Sequence, residues 1–311
     1  VYKRQSYTGT DTGRATSGAA MALLGKIYLT FHKWTEARNV LSQLIGRYSL
    51  MPTPDKVFDV DNKMNDEIIF AVRFNKDVEG EGHGYWFSII NLTDDTNQTK
   101  ALKECYKDGD KRKDLITYVK VEDKVCVMNK FKDLKSATYN TVGNDQIILR
   151  YADVLLLYAE ALNEWKGAPT DKAYEAVNMV RARGYGHPSS TKYKIAEGMD
   201  QEQFRETVRL ERAYELAFEG QRRPDLVRWG MYYQAIQNTQ DELTQWWTEA
   251  RNSLGDKKDE LNESGELKIP RTPNYTVARY TQENKHELLP IPQRDMDLCS
   301  QFVQNPGWKV D

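Results

Sequence analysis

The pattern of apolar positions is clearest between residues 150 and 164, where apolar side chains recur at the spacing of an α-helix. One face of this stretch consists of Ala152, Leu155, Leu156, Ala159 and Leu162. These positions follow the i, i+3, i+4, i+7 spacing of a single helix face. Further apolar residues fill most of the remaining circumference, so the helix must be covered on more than one side. We therefore predict a buried helix here.

Two pairs of helices follow from the same kind of pattern. The buried helix is succeeded by a Gly-Ala-Pro break at Gly167–Pro169 and by an amphipathic run from Asp171 to Arg183. A similar pair near the start joins Ala19–Leu29 to Trp34–Ile45. Both pairs are typical of tetratricopeptide repeats, but a solenoid needs about three repeats to bury its faces. We predict a mainly α fold in which tetratricopeptide-like pairs support a larger structure.

The rest of the chain has a different character. Short β-like runs occur at Glu67–Phe74 and Leu115–Val121, within a stretch rich in loop-forming residues. No Pro/Gly/Ser linker divides the chain, so we predict one domain over 1–311. Its predicted parts are a helix pair about 14–46, a loop-rich excursion about 51–146, helix pairs about 147–236, a polar insertion 237–282 and an extended C-terminal strap 283–311.

Eight motifs occur along the chain in a fixed order. They are Arg14–Leu24, Asn65–Arg73, Tyr106–Arg112, Arg150–Glu164, Val177–Arg183, Glu211–Arg222 running into Asp225–Gly230, Leu288–Pro292 and Gln304–Gly307. Together they resemble the C-terminal portion of the SusD/RagB family, the outer-membrane nutrient-binding lipoproteins of glycan-utilisation systems in Bacteroidetes. The resemblance extends over nearly all of the 311 residues.

The resemblance implies a SusD-like fold and a non-catalytic role in nutrient uptake. It also implies a glycan ligand, a SusC-like TonB-dependent transporter as partner, and a surface position on the outer membrane through a lipid anchor. Family members begin with a secretion signal, a lipidated cysteine and a further helical half. Val1–Gly13 is polar, and no run of about 18 apolar residues occurs. We therefore expect an N-terminally truncated chain without signal or anchor.

Composition narrows the possible partners. Hydrophobic residues make up 40% of the chain, charged residues 29%, and the net charge is −2. These values are typical of a globular body and give no reason to expect nucleic acid as a partner. No cofactor-binding or metal-binding motif occurs, so we predict neither. The three cysteines predict no disulfide framework, although a single bridge between Cys105 and Cys126 stays open.

The strongest candidate for ligand binding is the run Gly80–Asn97, which combines glycines, three successive aromatic residues and several Asn, Asp and Thr side chains. The apolar C–H face of a pyranose ring stacks on Trp or Tyr, and its hydroxyls require directional donors and acceptors. The resemblance adds that family ligand residues often come from loops in this central region. The predicted ligand residues are Tyr85, Trp86, Asn91, Asp94, Asp95 and Asn97.

Two other interpretations of these aromatic residues stay open. Trp86 or Phe87 can instead attach the loop to the body of the protein, since three adjacent aromatic residues cannot all face outward. Trp246 and Trp247, in the polar insertion, form a rival platform. On a helix these two side chains point about 100° apart, so at most one of them would face a ligand.

A predicted helix from Gln201 to Glu219 raises the question of catalysis. Glu211, Glu215 and Glu219 follow one another at i, i+4 and i+8 along one face. A glycosidase needs two carboxyl groups that face each other across a cleft, so this arrangement does not favour hydrolysis. We predict that the three carboxylates form structural ion pairs with the arginines just beyond the helix, Arg222 and Arg228.

A second set of charges is predicted to pair in the same structural manner. Arg150, Asp153 and Glu160 lie on the buried helix and are expected to find partners within the scaffold. Together with the Gly80–Asn97 run, the resemblance to the SusD/RagB family implies a non-catalytic glycan-binding protein. The alternative function is a helical-repeat protein–protein adaptor, which would have a continuous concave peptide groove and no affinity for sugars.

Overall fold

The computed structural model describes residues 6–82, 89–90, 105–122, 125–135, 142–187, 189, 191–253 and 280–309. These residues form two compact units, the first extending to Arg222 and the second beginning at Arg223. The organisation as one domain over 1–311 stays a prediction. None of the helices in the described residues is long and apolar enough to cross a membrane.

Helices dominate the described chain, as the sequence predicts. The helices of the first unit are α1 (Ser17–Thr30), α2 (Trp34–Ser42), α3 (Arg112–Leu115), α4 (Tyr151–Lys166), α5 (Asp171–Gly184) and α6 (Gln201–Glu215). Its strands are β1 (Ile68–Val72), β2 (Ile89–Ile90), β3 (Tyr118–Glu122), β4 (Val125–Met128) and β5 (Gln146–Arg150). The other helices are α7 (Arg222–Arg228), α8 (Tyr232–Ser253) and α9 (Gln293–Leu298).

Both predicted helix pairs are confirmed. In the first pair, α1 packs against α2, and a Cβ atom at Gly25 would collide with the side chain of Leu41. In the second pair, α4 ends at Gly167, whose φ of +73° is the left-handed conformation that glycine adopts most easily. The side chain of Thr170 then caps α5 by accepting a hydrogen bond from the Ala173 amide at 3.3 Å.

Helix α4 is the centre of the core. Its residues from Tyr151 to Asn163 are all buried, which confirms the predicted buried helix. It packs against α2, α5 and α6, and apolar residues of these helices and of α1 complete the cluster around it. At the start of the helix, the Tyr151 hydroxyl accepts a hydrogen bond from the Gly46 amide at 2.9 Å, so a buried polar group is satisfied.

Two predicted helix boundaries are wrong. Arg150 belongs to β5 and not to α4, because the antiparallel pairing of β5 with β1 keeps its backbone extended. Helix α6 ends at Glu215, so Glu219 lies in the turn beyond it. That turn contains Phe218 at a φ of +64°, a conformation that cannot continue a right-handed helix.

Of the two predicted β-like runs, Glu67–Phe74 is confirmed by β1, which pairs with β5. The second run is shifted, because Leu115 ends helix α3 and the strand begins only at Tyr118. Strands β2, β4 and β3 form a separate antiparallel sheet in that order.

The predicted extended strap also needs correction. The segment contains α9, and its end returns to its beginning: Trp308 Nε1 donates to the carbonyl oxygens of Lys285 at 2.9 Å and Leu288 at 3.0 Å. The His286 ring meets the Trp308 ring edge to face at a centroid distance of 5.3 Å.

A cluster of charged side chains lies beside the core and connects elements that are far apart in sequence. We call it the buried ionic cluster. Its members are Glu67, Asp110, Arg112, Lys130, Arg150, Arg181, Arg183, Glu211, Glu215 and Glu219. Apart from Arg181, every one of these side chains is more than nine-tenths buried. Five carboxylates face five cations, so the cluster is neutral as a whole.

Arg150 lies at the centre of the buried ionic cluster. Its Nη1 donates to Glu67 Oε1 at 2.9 Å and to Glu215 Oε1 at 2.6 Å. Its Nε donates to Glu219 Oε2 at 2.6 Å, and its Nη2 donates to Glu219 Oε1 at 2.7 Å. Every nitrogen of this buried guanidinium therefore donates to an acceptor, as a buried charge requires.

Glu215 joins three arginines within the cluster. Its carboxylate pairs with Arg112, Arg150 and Arg183. Burial by itself would raise the pKa of Glu215, but these guanidinium groups outweigh burial and lower the pKa from 4.5 to about 2. The carboxylate therefore stays ionised throughout the neutral range and into the acid range.

The predicted structural role of the α6 carboxylates is confirmed, but their predicted partners are wrong. Glu211 and Glu215 pair with arginines from α3, β5 and α5, and not with the arginines that follow α6. Arg228 instead pairs with Asp225 at 2.9 Å. Arg150 and Asp153 each find partners within the scaffold, as predicted. Arg150 pairs within the buried ionic cluster, and Asp153 pairs with Lys26 at 3.0 Å and with Arg212 at 2.8 Å.

We expect Glu215→Gln to lower the free energy of unfolding by about 3–5 kcal/mol at pH 7, because three buried guanidinium groups lose a charged partner. The wild-type contribution is fully present above pH 4.5 and is lost as the pH falls toward 2, since the folded-state pKa is the lower one. The variant should therefore show a shallower loss of stability across this window. Urea unfolding at a series of pH values measures both effects.

Glu206→Gln is the matched control. Its carboxylate lies on the same helix, is 47% exposed and pairs with Arg209 one turn away. We expect a change of less than about 1 kcal/mol, because exposed pairs contribute little. Equal stability of the two variants would contradict the central role of Glu215.

Helix α1 carries a second apolar face that remains exposed among the described residues. Leu23 is 52% exposed, Ile27 43% and Phe31 70%, and these residues follow one another at i, i+4 and i+8. The opposite face, with Ala22 and Leu29, is fully buried. Contiguous apolar surface of this kind promotes association in water.

We expect this chain alone to associate in solution, and the double variant Leu23→Gln/Phe31→Gln to raise the monomer fraction without loss of stability. Leu29→Gln on the buried face is the control, and should lower the free energy of unfolding by about 2–5 kcal/mol. Analytical ultracentrifugation and urea unfolding provide the two measurements. A monodisperse wild-type chain that unfolds cooperatively would disprove the expectation.

Candidate functional site

The predicted ligand residues Tyr85, Trp86, Asn91, Asp94, Asp95 and Asn97 lie outside the described residues. The backbone of Trp246 and Trp247 lies in α8, but their side chains also fall outside the described part of the protein. Both sets of candidates therefore stay predictions.

The described chain has other concave surfaces, and two of them are large enough to hold a small ligand. The first is a groove of about 530 Å³ between α2, the end of α4 and the start of α5. Trp165 lies on its wall, and the Arg38 guanidinium carbon stands 3.9 Å from the centre of the Trp165 ring. This cation–π contact already covers one face of the indole. The groove therefore offers a ligand at most the other face of that ring.

The second concave surface is a cleft of about 280 Å³, which we call the α5–α6 cleft. It lies between the C-terminal end of α5, residues 185 and 192–199 and one face of α6, with residues 105–110 closing one end. Two half-buried tyrosines, Tyr185 and Tyr214, line it. Three exposed lysines share its wall, namely Lys107, Lys192 and Lys194.

The local sequence explains how the walls of the α5–α6 cleft are held. Arg181, in the last turn of α5, donates through Nη1 to Glu211 Oε2 on α6 at 2.7 Å. Its Nε donates to the Tyr193 carbonyl of the intervening loop. The loop is attached to α5 again by the Ile195 amide, which donates to Asn178 Oδ1 at 3.0 Å. The walls are thus fixed by hydrogen bonds before any ligand enters.

One cysteine and two tyrosines of the cleft stay uncharged near neutral pH. Burial, supported by the Asp110 carboxylate, raises the pKa of Cys105 to about 12, so its thiol remains protonated. Burial also raises the pKa of the Tyr185 and Tyr214 phenols. The possible bridge between Cys105 and Cys126 stays open, because the Cys126 side chain lies outside the described residues.

Sequence reasoning missed the α5–α6 cleft. Its tyrosines and lysines come from three separate segments, and none of these segments has the local density of aromatic and amide side chains that distinguishes Gly80–Asn97. The only local signal is the alternation of lysine and tyrosine at Lys192–Lys194, directly after α5. That signal alone does not predict a cavity.

The carboxylates of α6 do not form a catalytic pair. Glu211 and Glu215 are almost completely buried, and their oxygens are engaged by guanidinium groups of the buried ionic cluster. A general acid needs a raised pKa and access to the glycosidic oxygen, whereas the pKa of Glu215 is lowered. The geometry of these residues supports structure and not hydrolysis.

Comparisons with known proteins agree with the motif order. The family model described as the SusD family matches residues 117–308. The SusD-like protein P25 of Formosa agariphila is 28% identical over 305 residues, which covers 81% of this chain and 56% of that protein. This chain spans about half the length of the curated relatives it matches.

Solved structures share the fold. The crystal structure of a SusD homolog from Bacteroides thetaiotaomicron matches with a TM-score of 0.76 and 33% identity, over 96% of this chain and 65% of that one. The surface glycan-binding protein A of the same species matches with a TM-score of 0.66 over 97% of this chain and 65% of that one. At 18% identity, the latter shows a common fold alone. Confirming the resemblance that the ordered motifs predicted, the family match establishes that this chain belongs to the SusD family.

Proposed function

We propose that this protein is a non-catalytic glycan-binding component of an outer-membrane uptake system. The observation that carries the proposal is membership of the SusD family, supported by a structure of 33% identity over almost the whole chain. A structural neighbour whose name describes glycan binding agrees with it. In this role the protein is attached to the cell surface by a lipid anchor, and it passes captured oligosaccharide to a SusC-like TonB-dependent transporter.

The arrangement of charges supports capture without chemical change. In the described chain, Glu211 and Glu215 are held by arginines in the interior, where they cannot protonate a substrate. Binding without turnover needs only surfaces that complement the sugar. Aromatic rings complement the C–H faces of the sugar, and polar side chains form hydrogen bonds with its hydroxyls.

We place the principal site in the Gly80–Asn97 segment, where aromatic and amide-bearing side chains are concentrated. Within it, Tyr85 and Trp86 are proposed to stack on sugar rings. The polar ligands are proposed to be Asn91, Asp94, Asp95 and Asn97. The chemistry of aromatic platforms is common to many glycans, so the proposal names the class and leaves the sugar to experiment.

Calorimetric titration of plant and host oligosaccharides tests this proposal, with the full-length protein and its Trp86→Ala variant. We expect at least one oligosaccharide to bind and the variant to bind it roughly tenfold or more weakly, because truncation of a central aromatic anchor costs about 2 kcal/mol. Circular dichroism verifies that the variant remains folded.

The double variant Trp246→Ala/Trp247→Ala is the companion measurement. Unchanged binding in Trp86→Ala together with loss in the double variant would move the site to α8. If no oligosaccharide in the panel binds, the glycan-binding proposal fails, and the helical-repeat adaptor becomes the better description. Release of shorter products from a labelled oligosaccharide would disprove the non-catalytic role.

A further inference from the structure

The floor of the α5–α6 cleft has its charges already neutralised. The carboxylates that line it are Asp110 and Glu211. Asp110 pairs with Arg112 through two hydrogen bonds of 2.9 and 2.7 Å, and Glu211 pairs with both Arg112 and Arg181. Two negative charges therefore face two guanidinium groups, and neither carboxylate is left to attract a cation into the cleft.

The lysines on the wall differ from these carboxylates, because they have no ion-pair partner among the described residues. Within the part of the chain that the structure describes, no carboxylate forms an ion pair with Lys107, Lys192 or Lys194. All three ammonium groups belong to exposed residues. Three positive charges around one concavity produce a local positive potential, although the chain as a whole has a net charge of −2.

The surfaces between these lysines suit a ring and not a simple inorganic anion. Tyr185 and Tyr214 are half-buried. The Arg181 guanidinium carbon stands 5.7 Å from the centre of the Tyr185 ring, and the Tyr214 ring packs against the Tyr106 ring at a centroid distance of 5.5 Å, so each ring offers a ligand at most its remaining face. Ile195 and Leu210 add apolar surface. The phenol groups are neutral at pH 7 and can donate hydrogen bonds to ring hydroxyls. The cleft thus combines apolar faces, hydroxyl donors and positive charge within about 280 Å³.

The size of the cleft limits the ligand. Its volume is slightly below the range of about 300–1,000 Å³ that is typical of small-molecule sites, so a sugar unit or two fits and a long chain does not. The loop that carries Lys192 and Lys194 is tied to α5 through Arg181 and Asn178, so binding does not have to order this wall. Such preorganisation favours the binding of a small ligand, because little conformational entropy is lost when the ligand enters.

The geometry points to a second saccharide site in the α5–α6 cleft, which takes the acidic unit of a glycan, a sugar ring that carries a carboxylate or a sulfate group. The tyrosines contact the ring, and Lys107, Lys192 and Lys194 bind the anionic group. This inference rests on the proposed glycan-binding function and adds to it the charge of the preferred sugar and the residues that recognise that charge.

The double variant Lys192→Gln/Lys194→Gln tests the site in the full chain, because glutamine keeps the length of the side chain and removes the charge. Trigalacturonate, a sulfated chondroitin disaccharide and neutral maltotriose are titrated separately by calorimetry. We expect at least one of the two acidic probes to bind, the double variant to bind it roughly fivefold to tenfold more weakly, and added NaCl to weaken binding to the wild-type protein. The comparison of carboxylated and sulfated probes identifies the anionic group.

Lys33→Gln/Lys166→Gln is the matched control, since both lysines are exposed and neither lines the cleft. It should bind the acidic probe as the wild-type protein does. Tyr185→Leu should also weaken binding, whereas a purely electrostatic attraction to the surface would leave this variant unaffected. Circular dichroism shows whether each variant is folded.

Two results would overturn the inference. The first is equal affinity of the Lys192→Gln/Lys194→Gln variant and the wild-type protein for every acidic probe. The second is binding of neutral saccharides, in this titration or in the wider panel, without binding of any acidic one, which would leave the proposed glycan-binding function intact. If no saccharide binds at all, both the inference and the proposed function fail.

Discussion

Pairing of the buried Arg150 guanidinium determines how the first unit is assembled. A buried cation is tolerated only where each donor meets an acceptor, and the acceptors here come from three places. Glu67 precedes β1, Glu215 is the last residue of α6, and Glu219 lies in the turn beyond. Arg150 itself joins β5 to α4. The two-stranded sheet, the central helix and α6 must therefore meet at one point.

This arrangement specifies geometry more than it adds net stability. Desolvation of buried charges offsets much of their mutual attraction, and a well-packed apolar cluster of the same volume can be equally stable. The buried ionic cluster nevertheless restricts how these elements pack, because displacing one member removes a charged partner from each residue that it contacts. Glu215 pairs with three arginines, so a shift of α6 against α4 or α5 would break several of its ion pairs at once.

Local patterns in the sequence predicted the helices well and the long-range contacts poorly. The repeated apolar spacing of α4 is visible in a single stretch, and the burial of its whole circumference follows from that spacing. Glu67 and Arg183, by contrast, are separated by 116 residues, and no local pattern relates them. Arg150 shows the same limit, because helical periodicity placed it in α4, whereas pairing with Ile68 across the sheet keeps it extended.

The candidate sites differ in predictability for the same reason. The Gly80–Asn97 segment is conspicuous because its aromatic and polar residues are neighbours in sequence, and it stays a prediction. The α5–α6 cleft was missed because its walls come together only when α5 packs near α6.

The buried ionic cluster and the α5–α6 cleft are physically connected, since the cluster continues through Arg112 and Glu211 to the floor of the cleft. The same pairing that closes the core leaves that floor without net charge. The charge that a ligand meets is then set by Lys107, Lys192 and Lys194 on the wall of the cleft.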